Sequence, residues 1–240
     1  MIRRAGMTQF IADQSFWELF PDAKLGVLLL RNYDNQEDSP QEVKQLLADS
    51  HDIAKQYLTE ESFSDNEIIQ VYRQAYQRFK TKKGARSSIE ALLKRVANGQ
   101  VLSSINPLVD IYNTASLRFG LPVGAEDSDC FVGDLRLTLT EGGDEFYLIG
   151  DSKNSPTLPN ELCYKDDAGA VCRCLNWRDG ERTMITDRTK NAFLVIEALD
   201  SKTQARLQDA LKFIEDKAKC YLKAETALYT LDQASPSITF

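Results

Sequence analysis

The chain has 240 residues, 42% of them hydrophobic, which is enough apolar material for one sizeable core and points to a single domain rather than two. Charged residues make up 27% and are evenly mixed, and the formal net charge is −7, which excludes both a long disordered charged tail and a uniformly basic surface. No apolar run approaches a membrane span and the start lacks a charged-then-apolar leader pattern, so a cytoplasmic chain with no membrane partner is expected.

In chain order, residues 1–9 read as a disordered extension ahead of a single domain over 10–240, with 1–6 an upstream addition before an ordinary start at Met7. Residues 25–31, LGVLLLR, form a short continuous apolar run suited to a strand buried on both faces. Residues 40–58 show helical spacing at Val43, Leu46, Leu47, Ile53 and Leu58; Ser64 or Asp65 should cap a second helix reaching about Phe79, and Ser87 or Ser88 a third ending near Gly99.

Asn106 is a good N-cap and Pro107 suits the first helical position, where its missing N–H costs nothing, so a fourth helix starts there. At 3.6 residues per turn Asn106, Asp110 and Asn113 share one narrow polar face. Gly120 is suited to a left-handed end and Pro122 blocks resumption, leaving residues 123–127 as an irregular loop. Leu135, Leu137 and Leu139 alternate with polar residues as a half-buried strand, which Gly142-Gly143 turns into another at 146–149. Further strands are expected at 170–177 and 192–198, with a turn at Arg178-Asp179-Gly180 between them, and Ser201 caps a long helix to about Leu222. Helices, then strands, then a helix give an α+β fold: a mixed or largely antiparallel sheet flanked by helices.

The five cysteines, Cys130, Cys163, Cys172, Cys174 and Cys220, are odd in number and hold no C-x-x-C pair, so they read as reduced thiols, and neither a metal site nor a cofactor is expected. The lone His51 sits in an amphipathic stretch and reads as a surface or capping residue, which makes nucleophilic catalysis built on histidine improbable. Glu126 and Asp127 could serve as a metal site or an acid–base pair, or simply fix a loop, while 166–169 (DDAG) is a turn. Residues 73–95 carry Arg73, Arg78, Lys80, Lys82, Lys83, Arg86, Lys94 and Arg95 against the single acid Glu90, a phosphate-binding segment in an otherwise acidic protein or a solvated face.

Two ordered blocks carry a family resemblance. Ile105, Asn106, Val109, Asp110 and Asn113, followed by Pro122, Ala125 and Asp127, resemble the helix and loop of the B3/B4 domain of the bacterial phenylalanyl-tRNA synthetase β subunit. Gly180, Glu181, Thr186, Thr189, Asn191, Phe193 and Leu194 resemble a second segment of the same domain. Residues 85–96, ARSSIEALLKRV with Arg86, look like the arginine–serine helix of free-standing B3/B4 proteins, and the resemblance spans about 72–199.

The resemblance implies a B3/B4-like fold and an editing pocket that hydrolyses a wrongly attached amino acid from its tRNA. It implies Glu181 as the group contacting the misacylated side chain, with Asn106 positioning substrate, although Glu181 reads equally as a solvated turn residue. Arg86, Asp110, Asn113, Gly124, Ala125, Glu126 and Gly180 are the expected substrate contacts, and Arg78, Lys80, Lys82 and Lys83 the expected RNA contacts. Gly124 replaces the histidine usual in the synthetase loop, so neither tyrosine specificity nor that water geometry carries over. The expected activity is metal-independent hydrolysis of mischarged aminoacyl-tRNA in trans, with tRNA or aminoacyl-tRNA as partner and no DNA. The alternatives are a non-catalytic module binding tRNA or an amino acid, and a small-molecule ester or amide hydrolase. No Gly-rich phosphate loop is present and 240 residues leave no room for an aminoacylation domain, so a tRNA ligase is not expected.

Overall fold

The apolar run at 25–31 becomes the central strand of the molecule in the computed structural model, which describes residues 8–240. This strand, β2 (Lys24–Arg31), is buried from Leu25 to Leu30 because both its faces are covered. Leu25, Val27 and Leu29 face a second sheet, and Leu28 and Leu30 face helices. Residues 1–7, with most of the expected extension, lie outside the described residues. Thr8 and Gln9 fall inside that expected extension but belong to the sheet: Thr8 exchanges backbone hydrogen bonds with Phe240 at 3.0 and 2.8 Å, and Gln9 opens β1 (Gln9–Ala12).

After β1 come α1 (Gln14–Leu19), β2, α2 (Gln41–Ala54), α3 (Glu67–Tyr76), α4 (Ser88–Ala97), α5 (Pro107–Phe119), β3 (Val123–Asp127) and β4 (Leu135–Leu139). The chain continues through β5 (Leu162–Asp166), β6 (Gly169–Arg173), β7 (Arg178–Asp179), β8 (Ala192–Ala198), α6 (Ser201–Leu222), β9 (Glu225–Leu231) and β10 (Ser237–Thr239). Two sheets result where one was expected. One is mixed, ordered β10-β1-β4-β5-β6-β7 with β1 and β4 parallel; the other is antiparallel, ordered β3-β8-β2-β9. Phe10, Leu135, Val171, Phe193 and Val195 fill the space between the sheets, and α5 and α6 cover the outer face of the antiparallel sheet through Leu108, Ile111, Leu207, Leu211 and Ile214. Helix α6 lies so close that a Cβ on Gly26 would meet Leu207 Cδ1 at 2.7 Å, which explains a glycine inside a buried strand. A third cluster joins α2, α3 and α4 through Leu47, Ile69, Tyr72, Ile89 and Leu93.

The caps at Ser87 and Asn106 form as expected, accepting from Glu90 N–H at 3.3 Å and Val109 N–H at 3.1 Å, and Gly120 ends α5 with φ +61°. Asn66 precedes α3 in place of Ser64 or Asp65, and Asp200 caps α6 in place of Ser201, paired with Thr203 in a reciprocal box. The expected loop at 123–127 is strand β3, and the expected strand at 146–149 is irregular chain held by isolated bridges from Tyr147 to Asn154 and Leu148 to Gly180. Cys174 lies past the end of β6 with φ +48°, so it does not continue that strand beside Cys172. Among the described residues no helix is long and apolar enough to cross a membrane.

Candidate functional site

A cleft of about 670 Å³ opens where α4, α5, β3 and the chain from Trp177 to Ile185 meet. Its walls are fixed by the caps just described: Ser87 aims α4, and Asn106 aims α5. Asn113 and Tyr112 project from α5, Ala125 comes from β3, and Trp177 and Asp179 from the turn around β7. Arg86, Lys94, Arg95 and Arg178 line the same cleft and are exposed, so its rim is basic within an acidic protein.

Beneath the cleft lies a cavity of about 60 Å³ between the two sheets. Gly124, Glu126, Cys172, Asp179 and Glu197 line it among apolar side chains, and Val123 and Asp179 also line the cleft above. Glu126 is 6% exposed, and burial followed by the charge of Asp179 holds its carboxyl well above the usual carboxylate range. Burial raises the carboxyl of Asp179 as well. The Cys172 thiol is pushed up by burial and by these two acids. Glu197 accepts from Tyr164 Oη at 2.7 Å and Asn176 Nδ2 at 3.0 Å, and burial raises it to about 7.

The expected site residues divide. Arg86, Asn113 and Ala125 line the cleft, and Gly124 and Glu126 line the cavity below it. An added Cβ on Gly124 would meet nothing within 4 Å, in keeping with a pocket enlarged by that glycine. Asn106 and Asp110 are not brought to the cleft. The Asn106 side-chain oxygen is taken by the cap, and the carboxylate of Asp110, fully buried, accepts from Ser39 Oγ at 2.6 Å, Ser104 Oγ, and Ile105 N–H at 2.9 Å. The polar face of the helix therefore splits into a cap, a buried tether for the loop before α5, and one cleft residue.

Glu181 is exposed and outside the cleft lining, because the Gly180 N–H bonds Val171 O at 2.8 Å and the Glu181 N–H bonds Tyr147 O at 2.9 Å, which fixes the turn with Asp179 facing in. A Cβ on Gly180 would sit 3.1 Å from Val171 O and 3.2 Å from the Phe146 ring, so Gly180 lets this turn pack flat. Asp127 accepts from Asp129 N–H at 3.0 Å, the loop-fixing role. His51 Nε2 accepts from Leu102 N–H at 3.1 Å, away from the cleft.

The basic segment also divides. Arg73 is paired with Glu90 at 2.7 Å, Arg78 donates to Leu19 O at 2.7 Å and lies over Phe20, and Lys82 bonds Ser155 Oγ. Lys80 and Lys83 are exposed, and none of Arg78, Lys80, Lys82 and Lys83 lines the cleft. The residues that sequence reasoning missed, Asp179, Cys172, Tyr112 and Arg178, gather by long-range pairing and carry no local signal of their own.

The family model that describes the B3/4 domain matches residues 71–235. The phenylalanine–tRNA ligase β subunit of Psychrobacter arcticus is 34% identical over 93 residues, covering 39% of this chain and 11% of that protein. The corresponding subunit of Cereibacter sphaeroides is 28% identical over 130 residues, covering 54% and 16%. The chain thus spans only a small part of the length of these curated relatives. An N-terminal fragment of the phenylalanyl-tRNA synthetase β subunit from Pyrococcus horikoshii aligns over 97% of this chain and 56% of its own, at 10% identity and a TM-score of 0.49. Because the match at 71–235 covers well over half of its residues, the chain belongs to the B3/4 domain family.

Proposed function

We propose that the protein binds aminoacyl-tRNA and hydrolyses mischarged amino acids from it in trans, in the cytoplasm. The observation that carries this reading is the cleft itself: about 670 Å³, basic at the rim, with a buried acidic cavity at its floor. A terminal aminoacyl-nucleotide has that polarity, phosphates at one end and an acyl group with its ammonium at the other. Arg86, Lys94, Arg95 and Arg178 are assigned to the phosphates, and Asn113, Gly124, Ala125 and Glu126 to the acyl end. Asn106, Asp110 and Gly180 act as positioning residues that hold α5 and the turn, and Glu181 rides on the outer side of that turn.

The ester linking an amino acid to tRNA is already activated. A water held in attack geometry adds to the carbonyl carbon, the bond to the ribose oxygen breaks, and free amino acid and the ribose hydroxyl leave. Placement of the acyl group and water, with hydrogen-bond donors on the developing oxyanion, supplies several kcal/mol or more without a covalent intermediate.

The test is a panel of misacylated tRNAs incubated with the purified chain, following release of the amino acid. Turnover of at least one member supports the reading. Saturable binding of tRNA with no release across the whole panel would replace it with the non-catalytic binding module. Hydrolysis of small esters with no effect on any aminoacyl-tRNA would replace it with a small-molecule hydrolase.

A further inference from the structure

Three side chains at the floor of the cleft come from both sheets. Glu126 stands on β3 of the antiparallel sheet, and Cys172 and Asp179 stand on β6 and β7 of the mixed sheet. Cys172 and Asp179 are direct cross-strand partners, which sets their side chains on one face of the ladder. One ligand atom of each, two carboxylate oxygens and a sulfur, all lie within 4.8 Å of one another.

We propose that Glu126, Cys172 and Asp179 bind one divalent cation of the zinc class, with a further coordination position open to the cavity. The cluster is not merely a group of acids. Thr183 and Asp179 both lie within side-chain hydrogen-bonding reach of Glu126, yet Glu126 Oε2, in the cluster, and Thr183 Oγ1, next to it, find no well-directed partner among the described residues. Thr183 is fully buried and sits on the same turn as Asp179. A buried oxygen of this kind costs free energy unless something occupies it, and a cation on the cluster would take the Glu126 oxygen and leave the adjacent Thr183 hydroxyl free to turn toward the carboxylate. Neither basic side chain on that turn does so, since Arg182 is held by Asp166 at 2.7 Å and Arg178 is exposed at the cleft rim.

The donor set selects the ion. Magnesium and calcium take oxygen cages, whereas a thiolate with carboxylates suits zinc or cobalt(II). Zinc bonds of about 2.0–2.3 Å place tetrahedral ligands roughly 3–4 Å apart, so small side-chain rotations close the set. Binding releases the thiol proton, and any proton held between the two carboxyls, to solvent. Three protein ligands with an open position is the pattern of a catalytic rather than a purely structural site. The cation would also bridge the two sheets at the point where cleft and cavity meet. This site shares Glu126 with the acyl end of the deacylase reading, but its readouts need no RNA, so the failure of one is distinguishable from the failure of the other.

The experiment uses the full chain, stripped with chelator and then titrated with cobalt(II) chloride and zinc chloride. One equivalent of cobalt should bind with a sulfur-to-cobalt charge-transfer band, zinc should displace it, and Tm should rise with metal. Cys172→Ser should abolish that band, and Glu126→Gln or Asp179→Asn should weaken zinc by more than about 10-fold. All three changes are close to isosteric, so folded protein is expected for comparison. No uptake by the unaltered chain overturns the proposal. So does a charge-transfer band that survives Cys172→Ser, which would assign the metal to one of the exposed thiols, Cys130 or Cys220.

Discussion

Glu197 illustrates how one buried carboxyl couples the pocket to the stability of the fold. It is fully buried, hydrogen-bonded to Tyr164 and Asn176, and raised from 4.5 to about 7 by burial. Between those two values the folded chain holds a proton that the unfolded chain has lost. The folded state therefore binds more protons, and stability falls as pH rises. The contribution is fully present below about 4.5 and is lost as pH passes about 7, a change on the order of 3 kcal/mol. Glu197→Gln should flatten the slope of unfolding free energy against pH in this window, measured by denaturant titration at several pH values. Glu126 and Asp179 are raised in the same direction, so part of the fall should remain. An unchanged slope would mean that Glu197 ionises no differently in the folded and unfolded chains.

Helix α5 shows which features are legible in a sequence. Its start and end follow from Asn106, Pro107 and Gly120, because caps depend on neighbours within four residues. What the polar residues do afterwards depends on distant partners: Ser39 reaches Asp110 from 71 positions away. Asn106→Ala should cost about 1 kcal/mol of stability through the lost cap. Asp110→Ala should cost about 3 kcal/mol, since two hydroxyls and an N–H lose their acceptor. Denaturant unfolding measures both. If Asn106→Ala is folded and only mildly destabilised yet loses all deacylation, Asn106 is a substrate-positioning residue, as the family resemblance implies. Strand β3 escaped notice because VGAED has no alternation and little β propensity, its pairing being imposed by β8. The apolar quartet at 146–149 misled in the opposite way, because Gly142 and Gly143 mark a change of direction but not a second strand. The metal-ligand candidates are illegible for a similar reason: β4 and β5 intervene in the chain between Glu126 and Cys172, Glu126 stands on the other sheet, and only pairing of β6 with β7 sets Cys172 opposite Asp179.

At the scale of the molecule, the match to the family begins at residue 71, yet β1 lies between β10 and β4 and β2 between β8 and β9. The first seventy residues thus supply inner strands to both sheets and belong to the same core as the cleft. Charge is distributed on a similar plan: the whole chain is acidic, while Arg86, Lys94, Arg95 and Arg178 surround one opening. A field of that shape repels nucleic acid over most of the surface and admits a phosphate chain at one place. Each phosphate of a single strand that a basic side chain neutralises adds about 0.7 to the slope of log affinity against log salt. Replacing Arg86, Lys94, Arg95 and Arg178 with glutamate should therefore weaken tRNA binding strongly and lower that slope by about 0.7 for each phosphate no longer neutralised. Replacing Lys80, Lys82 and Lys83, which stand away from the cleft, should change both far less. Filter binding or fluorescence anisotropy over a range of salt concentrations reads the slopes directly. If the second set carries the salt dependence and the first does not, the RNA runs along residues 78–83, and the basic rim serves a smaller anionic ligand instead.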